Sequence, residues 1–179
     1  MGLAEVTTAE QVSLFDDIES AWRAERPDLD MAVACTLLRL ARVNQLHEMR
    51  VQMISDELGL NTGDLHVLLA LRRSGKPYEL RPTDLFRALL VTSGAITKRV
   101  ARLQAAGLVL RVSANDDGRS ELVRLTAKGQ AIADRGINEI AKGVARVKEE
   151  SGLTNEEIST LDICLRKLLK VQPKKISGF

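Results

Sequence analysis

The chain has 179 residues, 45% apolar and 28% charged, enough apolar material for one packed domain; low-complexity disorder and a disulfide scaffold are excluded. Its 26 basic and 24 acidic residues leave a net charge of +2, but they are unevenly placed: residues 1–71 hold 5 basic and 12 acidic, residues 72–124 hold 11 and 5, and residues 125–179 hold 10 and 7. A basic middle third points to a polyanion met there, with other work left to the ends.

Helical periodicity dominates the first third. Residues 8–25 follow the cap candidates Thr7 and Thr8 and place Val12, Phe15, Ile18 and Trp22 on one face. Pro27 ends this helix, because its ring disfavours helical backbone in the residue before it. A long helix over about 31–58 follows, capped by Asp28 or Asp30, with Val33, Leu37, Leu40 and Ala41 expected inside and Gly59 as its stop. Asn61 or Thr62 caps a third helix over about 62–74, carrying Leu65, Leu68, Leu69 and Leu71. Gly75-Lys76-Pro77 is a turn signal.

The middle third changes character. Tyr78–Arg81 is a short extended piece, and Pro82 or Thr83 opens a short helix over about 83–89. After the turn Val91-Thr92-Ser93, a helix over about 93–105 puts Ile96, Val100 and Leu103 inward, and Gly107 ends it. Leu108–Ser113 reads as a strand with Leu108, Leu110 and Val112 on one side. Asn115–Gly118 is a hairpin turn, and Glu121–Leu125 is the return strand with Leu122 and Val123 inward.

The last third is helical again. Thr126 caps a helix over about 127–150, with Ile132, Ile137, Ile140, Val144 and Val147 in line. Thr154 and Glu157 form a capping-box start, and Ile158, Leu161, Leu165 and Leu168 make a narrow apolar stripe that Pro173 closes before a basic tail.

Residues 83–125 are the informative unit: short helix, turn, amphipathic helix, two-stranded ribbon. Opposite its apolar face, the second helix carries Ser93, Thr97, Lys98 and Arg102, hydroxyl and cationic groups suited to phosphates and base edges. Arg119 near the ribbon tip suits the minor groove, where the potential is most negative. This order is that of a winged helix–turn–helix. The fold expected is therefore mainly α with a small β-wing, an α+β arrangement. The plainer alternative is a small α+β module whose Lys and Arg side chains are only solvated; another is a helical interaction module whose basic middle binds an acidic protein.

The same residues resemble a known family. Thr92-Ser93-Gly94-Ala95-Ile96-Thr97-Lys98-Arg99-Val100-Ala101-Arg102-Leu103 and Gly107-Leu108-Val109 look like the recognition helix of MarR-type transcriptional regulators. Asp117-Gly118-Arg119 looks like that family's wing tip, and Val123–Gly129 like its exit from strand to helix. The resemblance spans roughly residues 30–150. It implies a homodimer joined through the terminal helices, a winged helix on each protomer, a palindromic operator in double-stranded DNA, and control by a small ligand or an oxidant. It implies that Arg119 is the wing arginine, that Asp117 positions the wing, and that Ser93, Thr97 and Lys98 face DNA. The expected division is 1–60 for N-terminal helices on the dimer and effector side, 61–126 for the DNA-binding unit, and 127–179 for C-terminal dimerisation helices. Repression is the expected outcome.

Trp22 followed by Arg26-Pro27-Asp28-Leu29-Asp30, and the run Leu71–Tyr78, resemble the urate-responsive, PecS/HucR-type branch of the family. That branch holds an anionic purine with a tryptophan, an aspartate and two arginines. By this resemblance Trp22, Arg99 and Arg111 take the tryptophan and arginine positions, and His66 stands where the aspartate is expected. An imidazole can pair with a carboxylate, so the departure directs attention from urate to another planar anion, an aromatic acid or a purine. The plainer alternatives are an interface tryptophan, arginines spent on phosphate or a salt bridge, and a satisfied core histidine.

Redox control through Cys35 is the family's other mode. Here, however, Cys35 and Cys164 both sit in apolar helical patterns, as buried thiols do, and Tyr78 is the only tyrosine. With His47 and His66 the only histidines, metal-ligand spacing is missing, and no metal or cofactor is expected. An enzyme is not expected either: there is no nucleophile–base pairing and no Gly-rich phosphate loop. Five aromatic residues are too few for single-strand stacking platforms. The N-terminus lacks a signal peptide's basic and apolar parts, and no apolar run approaches the ~20 residues of a membrane span, so a cytoplasmic location is expected.

Overall fold

Residues 8–89, 92–113 and 121–171 are described by the computed structural model. The chain order is α1 (Thr8–Glu25), α2 (Ala32–Glu57), α3 (Thr62–Arg73), β1 (Glu79–Leu80), α4 (Pro82–Leu89), α5 (Ser93–Ala105), β2 (Val109–Ser113), β3 (Glu121–Leu125), α6 (Ala127–Ser151) and α7 (Asn155–Leu168). The expected elements are all present at close to their expected bounds. Local chemistry sets those bounds: Asn61, Thr92, Thr126 and Thr154 each accept a hydrogen bond from a backbone N–H of the helix they open.

α3 is the hub. It buries Leu65, Val67, Leu68, Ala70 and Leu71 and packs against α2, α4, α5 and α6. The core that forms around it comprises Leu85 of α4, Ile96, Val100 and Leu103 of α5, Leu108 and Val109, Val123 and Leu125 of β3, and Ala133 of α6. Every member of this cluster lies between residues 67 and 133.

The sheet has three strands rather than two. Tyr78–Arg81 was expected to be extended; its Glu79 and Leu80 pair with Arg124 and Val123, giving the antiparallel order β1-β3-β2. The expected strand faces are corrected in part: Leu108 is buried and Val112 half-buried as expected, but Val109 is buried and Leu110 exposed. Leu108 lies in the turn after α5, where its N–H donates to Leu103 O and its carbonyl accepts from Thr126 N–H, so the alternation starts one residue later. A one-residue shift exchanges the two faces of a strand. Val109 is therefore buried and Leu110 is 37% exposed; on the partner strand Val123 and Leu125 point inward and Leu122 is half-buried. The pairing of Val109 with Leu125 and of Arg111 with Val123 fits this face. The hairpin turn at 115–118 lies outside the described residues.

The helical faces outside this core also depart from expectation. In α2 the buried residues are Cys35, Val51 and Ser55, whereas Val33 and Leu37, expected inside, are exposed. In α6 the residues packed on α3 are small: Gly129, Ala133 and Gly136 are buried, while Ile137, Val144 and Val147 of the expected line are exposed. α7 buries nothing, and Cys164 on it is exposed rather than buried. The apolar stripes are real, but among the described residues many of their side chains stay exposed.

Candidate nucleic-acid interface

α4 and α5 form the helix–turn–helix, and β2 and β3 form the ribbon behind it. α5 is held by its apolar side, where Ile96, Val100 and Leu103 are fully buried. Its first turn is capped by Thr92, whose hydroxyl accepts from Ala95 N–H at 3.3 Å. Its end is pinned to the start of α6: Thr126 Oγ1 donates to Gly107 O at 2.8 Å, and Lys128 Nζ donates to Ala106 O at 3.1 Å. Ser93 is the first residue of α5, and Thr97 and Lys98 are exposed on its outer face. Arg81 and Arg87 lie exposed at the two ends of α4, a basic pair that sequence reasoning did not single out. The wing-tip residues Asp117 and Arg119 lie outside the described residues.

Arg102 differs from the other outward candidates. Its guanidinium grips Asp64 of α3 with both arms, Nε to Oδ2 at 3.0 Å and Nη2 to Oδ1 at 2.8 Å. The Asp64 side chain is 6% exposed. Sequence reasoning missed Asp64; the Asn61-x-x-Asp64 capping pattern was the available signal, but a partner 38 residues further on was not.

The four residues assigned to a ligand by resemblance are spread over α1, α3, α5 and β2. Two of them meet. The Arg99 side chain lies over Gly63 at the N-terminal turn of α3, where a Cβ would stand 2.6 Å from the guanidinium carbon. One turn along, His66 is half-buried and feels Arg99 electrostatically. Burial lowers the His66 pKa; Glu48 pulls it up, while Arg99 and His47 push it down. The balance of these influences favours the neutral imidazole. Trp22 is 45% exposed on α1, which packs against α2. Arg111 is on the wing, paired with Glu121 of the opposite strand. Cys35 is 2% exposed. Among the described residues no cluster has the makings of a metal site, and no helix is long and apolar enough to cross a membrane.

Comparison with known proteins agrees with this geometry. The MarR family model matches residues 58–120, which holds α3 to the wing tip. The HTH-type transcriptional regulator PecS of Dickeya dadantii is 33% identical over 123 residues, covering 69% of this chain and 74% of that protein. A mutant of E. coli MarR, solved in complex with operator DNA, is 28% identical with a TM-score of 0.64, covering 78% of this chain and 97% of that one. AbsC of Streptomyces coelicolor, a MarR family transcriptional regulator, shares the fold with a TM-score of 0.68 at 22% identity over 79% of this chain and 95% of its own. A capped recognition helix, a three-stranded wing sheet and a PecS relative at this identity and coverage lead to one conclusion: the chain belongs to the MarR family of winged-helix transcriptional regulators.

Proposed function

We propose that this protein is a homodimeric, ligand-responsive repressor that binds a pseudo-palindromic operator in double-stranded DNA. The observation that carries the DNA-binding part is the two-sidedness of α5. Its apolar face is locked into the core while Thr97 and Lys98 stand exposed beside Ser93 at its capped start. Such a helix enters the major groove N-terminus first. Arg119 serves the minor groove while Asp117 positions the wing, and Arg81 and Arg87 meet the phosphates that the first helix crosses. Two such units in a dimer require half-sites about one helical turn, or ~34–36 Å, apart.

Homodimerisation is supported by the distribution of exposed apolar side chains. Among the described large ones, only Phe86 and Leu110 lie between residues 58 and 126; the others belong to the two ends of the chain. This division supports residues 1–60 and 127–179 as the dimer-forming parts and 61–126 as the DNA-binding part. The effector is a small planar anion, an aromatic acid or a purine, held by Arg99 and His66 with Trp22 and Arg111 closing around it. The burial of Cys35 favours this control over a thiol switch.

The test uses duplexes selected from a random-sequence pool, with affinity measured against salt. Affinity falling steeply with salt is expected, with a slope that counts phosphates. A shallow slope, with no sequence preference, would leave a protein-binding helical module as the better description. In the same assay Arg119→Ala is expected to weaken the selected duplex by about 1–3 kcal/mol and leave the dimer intact.

A further inference from the structure

We infer that Asp64 and Arg102 are a positioning pair that sets how the recognition helix stands on α3, and that Arg102 is spent on this contact rather than on a phosphate. The inference rests on the DNA-binding reading above and assigns one of its residues differently. Asp64 is 4% exposed and lies in the first turn of α3. Asn61 caps that turn and is capped in return: its Oδ1 accepts from Asp64 N–H at 2.9 Å, and its Nδ2 donates to Asp64 Oδ2 at 2.8 Å. The two arms of Arg102 complete the carboxylate. The same turn is fastened to α2, where Thr62 Oγ1 donates to Gln52 Oε1 at 2.5 Å and Gln52 Nε2 to Asp56 Oδ1 at 2.7 Å. The aspartate thus belongs to a rigid corner of α2 and α3, and Arg102 is the handle by which α5 is attached to it.

Energetics keep the handle closed. Leaving a buried carboxylate without its cation is far more costly than breaking an exposed pair. A phosphate drawing Arg102 away would incur that cost on every binding event. The helix geometry agrees. Arg99 and Arg102 are three residues apart, so they share a side of α5. Arg99 lies over Gly63 in the same corner. Lys98, about 100° round the helix from Arg99, is exposed on a different side. The two arginines brace α5 against α3, and the DNA-facing chemistry starts at the next face.

Salt dependence separates this role from a phosphate contact. Arg102→Gln, Asp64→Asn and the double variant are titrated with a selected duplex and a scrambled one over a range of salt, with circular dichroism and melting as fold controls. Both single variants are expected to lose about tenfold or more of the preference for the selected duplex, with the salt slope unchanged. The double variant is expected to be no worse than either single one, as befits partners in one contact. Arg102→Lys keeps the charge but not the fork and is expected not to restore the preference. The proposal is overturned if Arg102→Gln lowers the slope by about one while Asp64→Asn binds as well as or better than the parent, since Arg102 is then a phosphate ligand. It is equally overturned if both variants melt earlier but keep full preference. Should Asp64→Asn fail to fold, the two Arg102 variants decide alone. A parent protein that binds neither duplex would instead remove the DNA-binding reading itself.

Discussion

At the scale of single residues, two positions carry consequences that can be measured. A Cβ at Gly129 would stand 1.9 Å from the backbone oxygen of Leu108, which cannot rotate away. Gly129→Ala is therefore expected to destabilise the protein by about 1–3 kcal/mol, towards the upper end, as read by chemical denaturation. His66 is the second position. Burial lowers its pKa in the fold, so the unfolded chain binds more protons as pH falls through the ordinary imidazole range. Stability from this group is complete above that range, declines as pH falls through it, and levels off below the folded pKa. An anion placed between His66 and Arg99 would raise the same pKa. Binding of an aromatic carboxylate is expected to take up a proton and to tighten as pH drops through the ordinary imidazole range. Calorimetry in buffers of different ionisation enthalpy reads that uptake, and Trp22 fluorescence reports the binding. The same heat in all buffers would place the ligand away from His66.

At the scale of elements, α7 shows how much of a helix is written locally. Thr154 accepts from Glu157 N–H at 3.2 Å, and the Glu157 carboxylate accepts from Thr154 N–H and from its hydroxyl, both at 2.8 Å. These bonds hold the Glu157 carboxyl below its ordinary pKa, the backbone bond first. The contribution is present above the ordinary carboxylate range and is lost as pH falls through the depressed value. Thr154→Ala is expected to lower the melting temperature by about 2–4 °C at neutral pH, with the deficit shrinking in acid as Glu157 protonates in both proteins. The other elements were legible for the same reason, since caps, prolines and apolar spacing act within a few residues. The strand faces were not, because whether Leu108 or Val109 begins the alternation depends on where the α5–β2 turn docks against Thr126.

At the scale of the whole molecule, one core and two open ends set the behaviour. The buried cluster belongs to residues 67–133, while α7 buries nothing and α2 leaves most of its length exposed. An amphipathic helix of 14 residues that buries no side chain is marginal in water. The proposed dimer supplies the missing face. Its melting temperature is expected to rise with protein concentration, and Leu161→Glu on α7 to yield monomers by sedimentation, with affinity for a two-half-site duplex lost. A concentration-independent melt and an unchanged sedimentation profile would exclude α7 from the interface. Charge fits this arrangement. Of the 12 acidic residues of the first 71, all but Asp64 belong to the segment 1–60 proposed for dimer and effector, and the 11 basic residues of 72–124 belong to the segment proposed for DNA.

What the sequence alone determined is the order of the elements, their ends, the inward face of α5 and the family pattern of its recognition helix. All of these rest on interactions between near neighbours or on residues compared one by one. Tertiary structure decided what depends on distant partners. It brought Glu79 and Leu80 in as the third strand, shifted the faces of the wing by one residue, and turned the stripes of α2, α6 and α7 outward. The net charge of +2 showed none of this, because a sum has no geometry. Arg102 is the sharpest case. Its type and spacing suit DNA, and its side chain stays 52% exposed, but its two arms hold the buried carboxylate of Asp64, 38 residues away.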